Sequence, residues 1–280
     1  EFRRVTGKQV EEFLAYLVRE EKSERTVEKY GRDVRAFCAF LPVGKAVEKE
    51  RVLAYKEHLV KRYAPSSVNS MLAAVNSFLG FLGREDCRVK KLKIQRRAFC
   101  PADRELNRAE YLRLIQAAEA TGRSRTSLLL QTLGSSGIRV SETSAITVEA
   151  LRQGKAVIRL KGKIRTILLP QKLCRKLLRY AKRQRIFSGP VFLTRNKRPM
   201  NRKEIWAAFK SLCSRAGVAA QKVFPHNLRH LFARTFYEAR HDIAKLADVL
   251  GHSSIDTTRI YIVTSGEEHC RTLEQMHLLL

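Results

Sequence analysis

The sequence predicts a mostly helical protein with a small antiparallel β-sheet in its second domain, an α+β fold class. Apolar residues recur at helical spacing along most of the 280 residues, whereas one segment, "KAVIRLKGKIRTILLP", reads as two short β runs around Gly162. A basic segment without a clean helical stripe separates two helical stretches. Since 44% of the residues are hydrophobic, the chain can bury a sizeable core, and we predict two domains.

Four amphipathic helices are predicted over residues 6–83. Thr6 is a plausible cap for the first helix, and the second repeats the apolar pattern from Val27 onward. The third covers roughly residues 47–63. The fourth opens at Pro65 and is apolar on all sides, which predicts that it is the most buried of the four.

Residues 91–104 are predicted to form a basic linker between a first domain at residues 1–90 and a second at 105–280. From Arg88 to Arg97 the sequence carries six basic residues and no acidic one. The plainer interpretation is a solvated charge run, and the one we favour is a linker that lies along the phosphates of a polyanion. Its candidate contacts are Lys90, Lys91, Lys93, Arg96 and Arg97.

The overall charge points to such a polyanion. Lys and Arg number 55 against 27 Asp and Glu, so the net charge is +28, which favours nucleic acid or an anionic membrane surface as partner. The sequence has no run of 18 apolar residues and no recognisable signal peptide, so we expect no membrane span. The six cysteines form no CxxC pair, which argues against a zinc site or a disulfide framework and favours the reducing cytoplasm.

The second domain is predicted to begin with a helix capped by Asn107. Residues 125–146 then read as a helix, a break at Gly137 and another helix, and the β-hairpin follows. Four further helical stretches are centred near residues 178, 208, 234 and 246. The first of these carries seven basic residues between Lys172 and Arg185, so we expect its cationic face to meet phosphates as well.

Four motifs hold residues that suit phosphodiester cleavage without a metal: "GIRVSE", "LKGKIRTILLP", "HNLRH" and "LGHSSIDTTRIY". Such chemistry needs a nucleophile, a proton donor for the leaving alkoxide and fixed cations for the non-bridging oxygens. Arginine binds those oxygens bidentately, and His and Lys serve as acids or bases. A tyrosine can attack once cations stabilise its phenolate. The candidates are Arg139, Lys161, His226, Arg229, His230, His252 and Tyr261.

Several candidates have a plainer interpretation. Arg139 can pair with Glu142, three residues further on. Lys161, at the predicted hairpin tip, can belong to a solubilising hairpin. His226 and His230 lie four residues apart and hint at zinc, although no glutamate completes an HExxH motif and no third ligand is evident. Each residue taken alone therefore leaves both interpretations open.

Tyr261 lies near the end of a short predicted helix, "SIDTTRIYI", that Ser253 or Ser254 can cap. A tyrosine in such a place is usually a packing residue. At 100° per residue, however, Ile255 and Ile262 share one face, and Tyr261 points about 100° away from it. This offset favours a functional hydroxyl.

Taken together, the four motifs resemble the tyrosine recombinase (phage integrase) family in their order and spacing. The resemblance covers about residues 105–265, and the helical module before them resembles the family's SAM-like core-binding domain less specifically. It implies a two-domain, C-shaped clamp around DNA. It also implies a site-specific DNA recombinase that works without a metal or another cofactor.

The same resemblance implies roles for the motif residues. Arg139 and Arg229 would clamp the scissile phosphate. His226 and His252 would donate hydrogen bonds to it, and His226 would assist proton transfer. Tyr261 would attack the phosphorus, which gives a 3′-phosphotyrosyl bond and a free 5′-OH.

Further residues of the hairpin and the helices receive supporting roles from the resemblance. Lys161 would protonate the leaving 5′ oxygen, with Lys163 as the alternative. Glu142 would orient the arginines, and His230 would support its helix. Lys163 and Arg165, beside the hairpin tip, are expected to contact DNA.

The implied partner is a double-stranded recombination site bound by a homotetramer, which exchanges strands through a Holliday junction. The tail after Tyr261 would dock on the neighbouring protomer, and accessory DNA-bending proteins can assist. The outcome would be integration or excision of a mobile element, or resolution of DNA. Two alternatives are a type IB topoisomerase, which acts alone, and a catalytically silent DNA-binding regulator.

Overall fold

The computed structural model describes residues 5–42, 46–94, 105–160, 163–252 and 254–261, with only the backbone of residues 159, 160 and 163. The chain divides into two compact units, Glu1–Arg96 and Arg97–Leu280. Each unit has a hydrophobic core of its own. The first unit is helical, and the second is mostly helical with one two-stranded antiparallel sheet, so the predicted fold class is confirmed.

The four predicted helices of the first unit are present. They are α1 (Gly7–Arg19), α2 (Glu24–Phe40), α3 (Lys49–Arg62) and α4 (Pro65–Phe81), followed by a short 3₁₀ turn at Glu85–Cys87. Thr6 caps α1 and exchanges backbone and side-chain hydrogen bonds with Gln9, a capping box. Helix α4 buries Val68, Leu72, Ala74, Val75, Phe78 and Leu79, more residues than any other helix of this unit. It is therefore the central helix, as its all-round apolar pattern predicts.

Two asparagines of α4 fix the segment that follows the 3₁₀ turn. Asn76 accepts from the Val89 amide at 3.0 Å and donates to the Val89 carbonyl at 2.8 Å. Asn69 repeats this arrangement with Leu92, at 2.7 and 2.9 Å. Val89 is also buried in the core. Residues 89–93, called the strap below, are thus fixed to the first unit as far as Leu92. This is two residues beyond the domain boundary predicted at residue 90.

The strap exposes the basic residues of the predicted linker. Lys90, Lys91 and Lys93 lie at the surface, whereas the neighbouring Val89 and Leu92 pack against the hydrophobic core of the first unit. Since the asparagine clamps fix the backbone, these cations stand on an ordered segment instead of a free linker. Arg96 and Arg97 lie outside the described residues.

The second unit contains nine helices among its described residues. They are α5 (Arg108–Ala120), α6 (Ser124–Ser136), α7 (Val148–Gln153), α8 (Gln171–Arg183), α9 (Arg202–Lys210), α10 (Cys213–Ala216), α11 (Pro225–Arg240), α12 (Ile243–Leu250) and α13 (Ile255–Arg259). Asn107 caps α5 as predicted, through a capping box with Glu110. The predicted second helix after Gly137 is a 3₁₀ helix, Val140–Ala145. A short 3₁₀ turn, Ala220–Lys222, precedes α11.

The predicted hairpin consists of β1 (Lys155–Leu160) and β2 (Lys163–Leu168), paired antiparallel with Lys155 opposite Leu168 and Leu160 opposite Lys163. Ala156, Ile158 and Ile167 face the core, whereas Val157, Ile164 and Leu168 are exposed, which is the alternation of a half-buried sheet. Arg165 lies on β2, opposite Ile158 of β1. The tip, with Lys161, lies outside the described residues.

No helix in the described part of the chain is long and apolar enough to cross a membrane. The cysteines at positions 38, 87, 174 and 213 are free thiols, all of them buried.

Candidate active site

Arg229 lies at the centre of the site and is almost fully buried, with 1% of its surface exposed. Pro225 opens α11, so Arg229 falls in the second helical turn and points toward the end of α6. Its Nη1 donates to the Gly137 carbonyl, and its Nη2 donates to the Leu250 carbonyl at 2.8 Å. Burial is the main cause that lowers the pKa of Arg229 to about 10, and the neighbouring charge of Arg139 is the next. Arg229 therefore stays charged at neutral pH. Among the described residues its charge meets neutral acceptors and no carboxylate, and its Nε has no partner. Such a buried cation favours an anionic ligand.

Glu142 ties two further arginines together and is itself buried. Its carboxylate accepts from the Arg139 backbone amide at 2.7 Å and from Arg139 Nη1 at 3.1 Å. It also accepts from Arg165 Nη2. The plainer interpretation of Arg139, an ion pair with Glu142, therefore holds, and it leaves the guanidinium 41% exposed with donors to spare. The pair is compatible with anion binding because it orients the arginine without covering it.

Arg165 does not point outward as a DNA-contacting residue of the hairpin would. Its side chain is 16% exposed and bridges Glu142 and the Leu250 carbonyl. Leu250 thus receives hydrogen bonds from both Arg165 and Arg229. The buried Glu142 carboxylate attracts the Arg165 guanidinium inward, and a contact of Arg165 with DNA stays a prediction. Arg165 thereby links the hairpin to Glu142 and to the end of α12.

Gly251 makes this bridge possible. It adopts a left-handed conformation with φ +63°, which ends α12, and a Cβ at this position would lie 2.5 Å from the Arg165 Cδ. Both the dihedral angle and the space therefore require glycine. Its place directly before His252 aims the histidine back toward Arg229.

Tyr261 is buried among the rings and cations of the site, with 7% exposure. Its ring centroid lies 4.5 Å from His230, 5.2 Å from His252 and 5.4 Å from His226, and the Arg229 guanidinium lies 5.6 Å away. Its hydroxyl is 3.4 Å from His226 Nε2. The packing and functional interpretations of this tyrosine therefore coincide: the ring is held by packing, and the hydroxyl points at a histidine and an arginine.

The apolar face predicted for the last helix is wrong. Ile255 is 48% exposed, whereas Thr258 is fully buried and faces the site together with Tyr261. Helix α13, capped by Ser254, is also shorter than predicted and ends at Arg259. Thr258 turns inward because its hydroxyl has a partner there, the Nδ1 of His252 at 2.9 Å. Ile262 lies outside the described residues.

His252 connects Thr258 to Arg229. Its Nε2 lies 2.8 Å from Arg229 Nη2, and because a guanidinium only donates, Nε2 accepts. Nδ1 then carries the proton and donates to Thr258. Burial, then Arg229 and Arg139, lower the pKa of His252 to about 4, in agreement with a neutral ring. In this arrangement His252 is not the donor toward an anion that the resemblance implies, since its Nε2 is already engaged as an acceptor.

His226 and His230 stand one turn apart on α11, with ring centroids 5.3 Å apart. Burial is the largest cause that lowers both pKa values; for His230 the pKa falls to about 4, with His226 as the next cause. His226 is the more exposed of the two. Within the described ranges no group of three or more His, Cys, Asp or Glu side chains could hold a metal, so the histidine pair lacks a third ligand there.

The second unit should lose stability as the pH falls from 7 toward 4, because His230 and His252 must then take up protons. Their folded pKa is about 4, below the ordinary value of 6.5. Between these values the unfolded chain binds up to two more protons, so the free energy of unfolding decreases as the pH decreases. Urea unfolding at pH 7 and pH 5 measures the effect. His230→Asn should remove about half of the difference, and an unchanged difference in that variant would contradict the assignment.

Six of the seven candidate residues lie in one cluster together with Glu142: Arg139, His226, Arg229, His230, His252 and Tyr261. Lys161 lies outside the described residues, and only the backbone of Lys163 is described, so neither is placed relative to this cluster. The sequence interpretation missed Thr258 and the carbonyls of Gly137 and Leu250. A backbone carbonyl has no residue signature, and a threonine in a short helix gives no signal of a functional contact by itself.

The fold has two mostly helical units, and the second holds a buried tyrosine beside arginines and histidines. Such a site suits a protein that binds a phosphate group next to a tyrosine hydroxyl. The comparisons agree. Residues 104–268 match the model of the phage integrase family, and residues 10–86 match its N-terminal SAM-like domain. The chain belongs to the phage integrase family and is a tyrosine-type site-specific recombinase.

Curated relatives and solved structures cover nearly the whole chain. The tyrosine recombinase XerA of Pyrococcus furiosus is 29% identical over 280 residues, which are 96% of this chain and 94% of the relative. The tyrosine recombinase XerC of Roseiflexus castenholzii is 30% identical, over 91% of this chain and 88% of the relative. A lambda integrase(75–356) dimer bound to a COC′ core site shares the fold, with a TM-score of 0.72 and 16% identity over 92% of this chain and 95% of that one.

Proposed function

We propose that this chain cleaves and rejoins DNA at a specific site through a covalent bond between Tyr261 and a 3′ phosphate. The observation that carries the proposal is the position of the Tyr261 hydroxyl, 3.4 Å from His226 Nε2 and beside the buried Arg229. A nucleophile, a base and a fixed cation thus share one small volume. The names of its relatives, tyrosine recombinases, and the core-site DNA in the lambda integrase structure support DNA as substrate.

The cleavage step can be written with this chain's own groups. The Tyr261 oxygen forms a bond to phosphorus while the bond between phosphorus and the 5′ oxygen breaks. His226 takes the phenolic proton, which its lowered pKa permits because the ring is neutral at pH 7. The 5′ oxygen leaves as a hydroxyl after protonation by Lys161, a role that rests on the resemblance. Arg139 and Arg229 neutralise the non-bridging oxygens as charge develops.

Phosphate binding also changes His252. A phosphate oxygen competes with His252 Nε2 for the Nη2 proton of Arg229, and once it succeeds the histidine loses its donor. The nearby negative charge raises the pKa of the imidazole, so protonation at Nε2 becomes favourable. His252 then donates to the phosphate while Thr258 continues to accept from Nδ1. The resting arrangement thereby converts into the donor arrangement that the resemblance implies.

Rejoining is the reverse of the same step. One phosphodiester bond is exchanged for one phosphotyrosine bond, so a 5′-OH from a second strand can attack without an external energy source. We propose that four protomers on two duplexes exchange strands in this way through a Holliday junction. The tail after Tyr261, which lies outside the described residues, is proposed to dock on the neighbouring protomer, and accessory DNA-bending proteins can assist. The outcome is integration, excision or resolution.

The two units divide the DNA contacts. We propose residues 1–90 as a core-binding domain, 91–104 as the connection and 105–280 as the catalytic domain. Lys90, Lys91 and Lys93 are placed to meet phosphates because they stand exposed on the ordered strap. A lysine on a fixed backbone loses less conformational freedom when it binds a phosphate than a lysine on a free linker.

A plasmid library tests the function against its two alternatives. Supercoiled plasmids are prepared that carry pairs of fragments from the genome that encodes the chain. They are incubated with the purified chain, and the recombinant junctions are sequenced. We expect recombinants that share one short site. Relaxed plasmids without recombinants would instead indicate a type IB topoisomerase, and DNA binding without any strand cleavage would indicate a silent regulator.

A further inference from the structure

Helix α8 of the second unit presents a continuous cationic stripe. Its basic residues are Lys172, Arg175, Lys176, Arg179, Lys182 and Arg183, all exposed. At 100° per residue these six positions fall within a sector of about 120°. The opposite side of the helix is buried through Leu173, Leu177 and Ala181, the apolar stripe that the sequence predicts. The helix therefore holds its charges in fixed positions on one side.

No carboxylate in the described part of the chain forms an ion pair with the stripe. Helix α8 itself contains no acidic residue. From residue 172 to 183 the helix rises about 16 Å, a length over which duplex DNA carries about ten phosphate charges. Six like charges in this space repel one another, and a polyanion removes that repulsion.

A cleft between α6 and α8 adds a shaped site to the stripe. It has a volume of about 210 Å³, with Lys176, Arg179 and Arg183 on the α8 side and Ser124, Ser127 and Gln131 on the α6 side. Lys176 Nζ donates to the Gln131 side chain at 2.7 Å. One acid, Glu119, also lines the cleft and accepts from the Ser127 hydroxyl at 3.0 Å. Three cations against one carboxylate, with hydroxyl and amide groups beside them, suit a phosphate group.

The cleft is separate from the active site. The residues of α6 that line it, from Ser124 to Gln131, belong to the first two turns of the helix, whereas the active site meets α6 at its other end, where the Gly137 carbonyl accepts from Arg229. Along the helix, Gly137 lies about 9 Å from Gln131 and about 20 Å from Ser124, the two ends of the cleft's α6 lining. None of the described residues that line the cleft takes part in the contacts given above for Arg139, Arg229 or Tyr261. A phosphate bound in the cleft is therefore not the scissile phosphate.

We propose that the α8 stripe and the adjoining cleft bind the backbone of a second DNA duplex while the first occupies the active site. This inference rests on the proposed function, in which two duplexes must be brought together before strands are exchanged. The cleft takes one phosphate of the second duplex, and the remaining cations of α8 follow the backbone. Contacts of this kind carry no sequence preference, so the second duplex is captured without regard to its sequence.

The test measures capture of a labelled second duplex. The chain is first joined to a nicked suicide duplex through Tyr261, and the isolated complex is titrated with a fluorescent duplex that lacks the site. A variant with Lys176→Gln, Arg179→Gln and Arg183→Gln is compared with a matched variant, Arg152→Gln, Arg195→Gln and Arg215→Gln. The matched variant removes the same charge from exposed positions of the same unit.

We expect the wild-type and matched complexes to capture the second duplex and the α8 variant to capture it weakly. For the α8 variant, the plot of the logarithm of the association constant for the second duplex against the logarithm of the salt concentration should be less steep than for the wild type by up to about 2.7. Between 50 and 200 mM salt the wild type should therefore lose about 40-fold more affinity than the α8 variant. Equal capture by both variants would overturn the proposal. So would tighter binding of polyglutamate than of DNA at the stripe, which would point to an acidic protein partner.

If the proposed function is wrong, the experiment fails at an earlier step, the formation of the covalent complex. If no covalent complex forms, the phosphotyrosyl mechanism fails, and the same titration is carried out on the free chain. The α8 variant should then still differ from the matched variant in its salt slope, and equal slopes would overturn the second-duplex site independently. Formation of the covalent complex by the α8 variant at the wild-type rate shows that its active site is intact.

Discussion

Replacement of Arg229 with lysine should lower the rate of strand cleavage by about 10³-fold, the scale observed when one fixed donor to a developing oxyanion is removed. Arg229 uses a planar fork to reach the Gly137 and Leu250 carbonyls while its charge faces Tyr261. Lysine keeps the charge but has a single ammonium, which cannot hold both carbonyls and still meet a phosphate. The measurement is single-turnover cleavage of a nicked duplex at saturating protein.

Arg240→Lys, at the exposed end of the same helix, is the matched control and should cleave as the wild type does. Binding of the intact duplex by the Arg229→Lys chain should weaken far less than cleavage, because most phosphate contacts lie elsewhere. Cleavage within threefold of the wild-type rate would show that Arg229 is a structural residue that does not touch the reacting phosphate.

Glu142→Gln should produce the second large effect, on both stability and cleavage. The buried carboxylate accepts hydrogen bonds from Arg139 and Arg165 together, and glutamine leaves two guanidinium groups side by side without a counter-charge. Removal of one partner from a buried ionic network costs about 3–5 kcal/mol. Urea unfolding should show a loss of this size, and cleavage should fall because Arg139 is no longer oriented.

Glu238→Gln, an exposed carboxylate on α11, serves as the control and should leave both quantities unchanged. Combining Glu142→Gln with Arg165→Met separates the two roles of the carboxylate. Because the second change removes one of the stranded cations, we expect part of the stability to return while cleavage stays low. Full recovery of cleavage would argue against a role of Glu142 in orienting Arg139.

Local pattern predicts the helices and the hairpin well because their signals lie within a few residues. The capping boxes at Thr6 and Asn107 and the two β runs around Gly162 are examples. Local pattern does not show contacts that depend on a polar partner far away in the sequence. Arg165 turns inward because of Glu142, 23 residues away, and the strap is fixed by Asn69 and Asn76.

Helix α13 shows the same limit at the most important residue. A helical wheel assigns its inner face to isoleucines, yet the buried face carries Thr258 and Tyr261. The reason is polar: Thr258 satisfies His252, and Tyr261 meets three histidines and Arg229. The motifs identified the residues, but only the folded chain shows that Tyr261 and His226, 35 positions apart, approach within hydrogen-bonding distance.

Identification of the atom that becomes joined to DNA is a direct test of the proposed role of Tyr261. A duplex nicked next to the scissile phosphate is incubated with the chain in EDTA, the covalent complex is digested, and the peptide that carries the nucleotide is sequenced by mass spectrometry. We expect a 3′-phosphate on Tyr261, and no complex with Tyr261→Phe despite unchanged DNA binding. A covalent complex on another residue, or one that Tyr261→Phe still forms, would contradict that role.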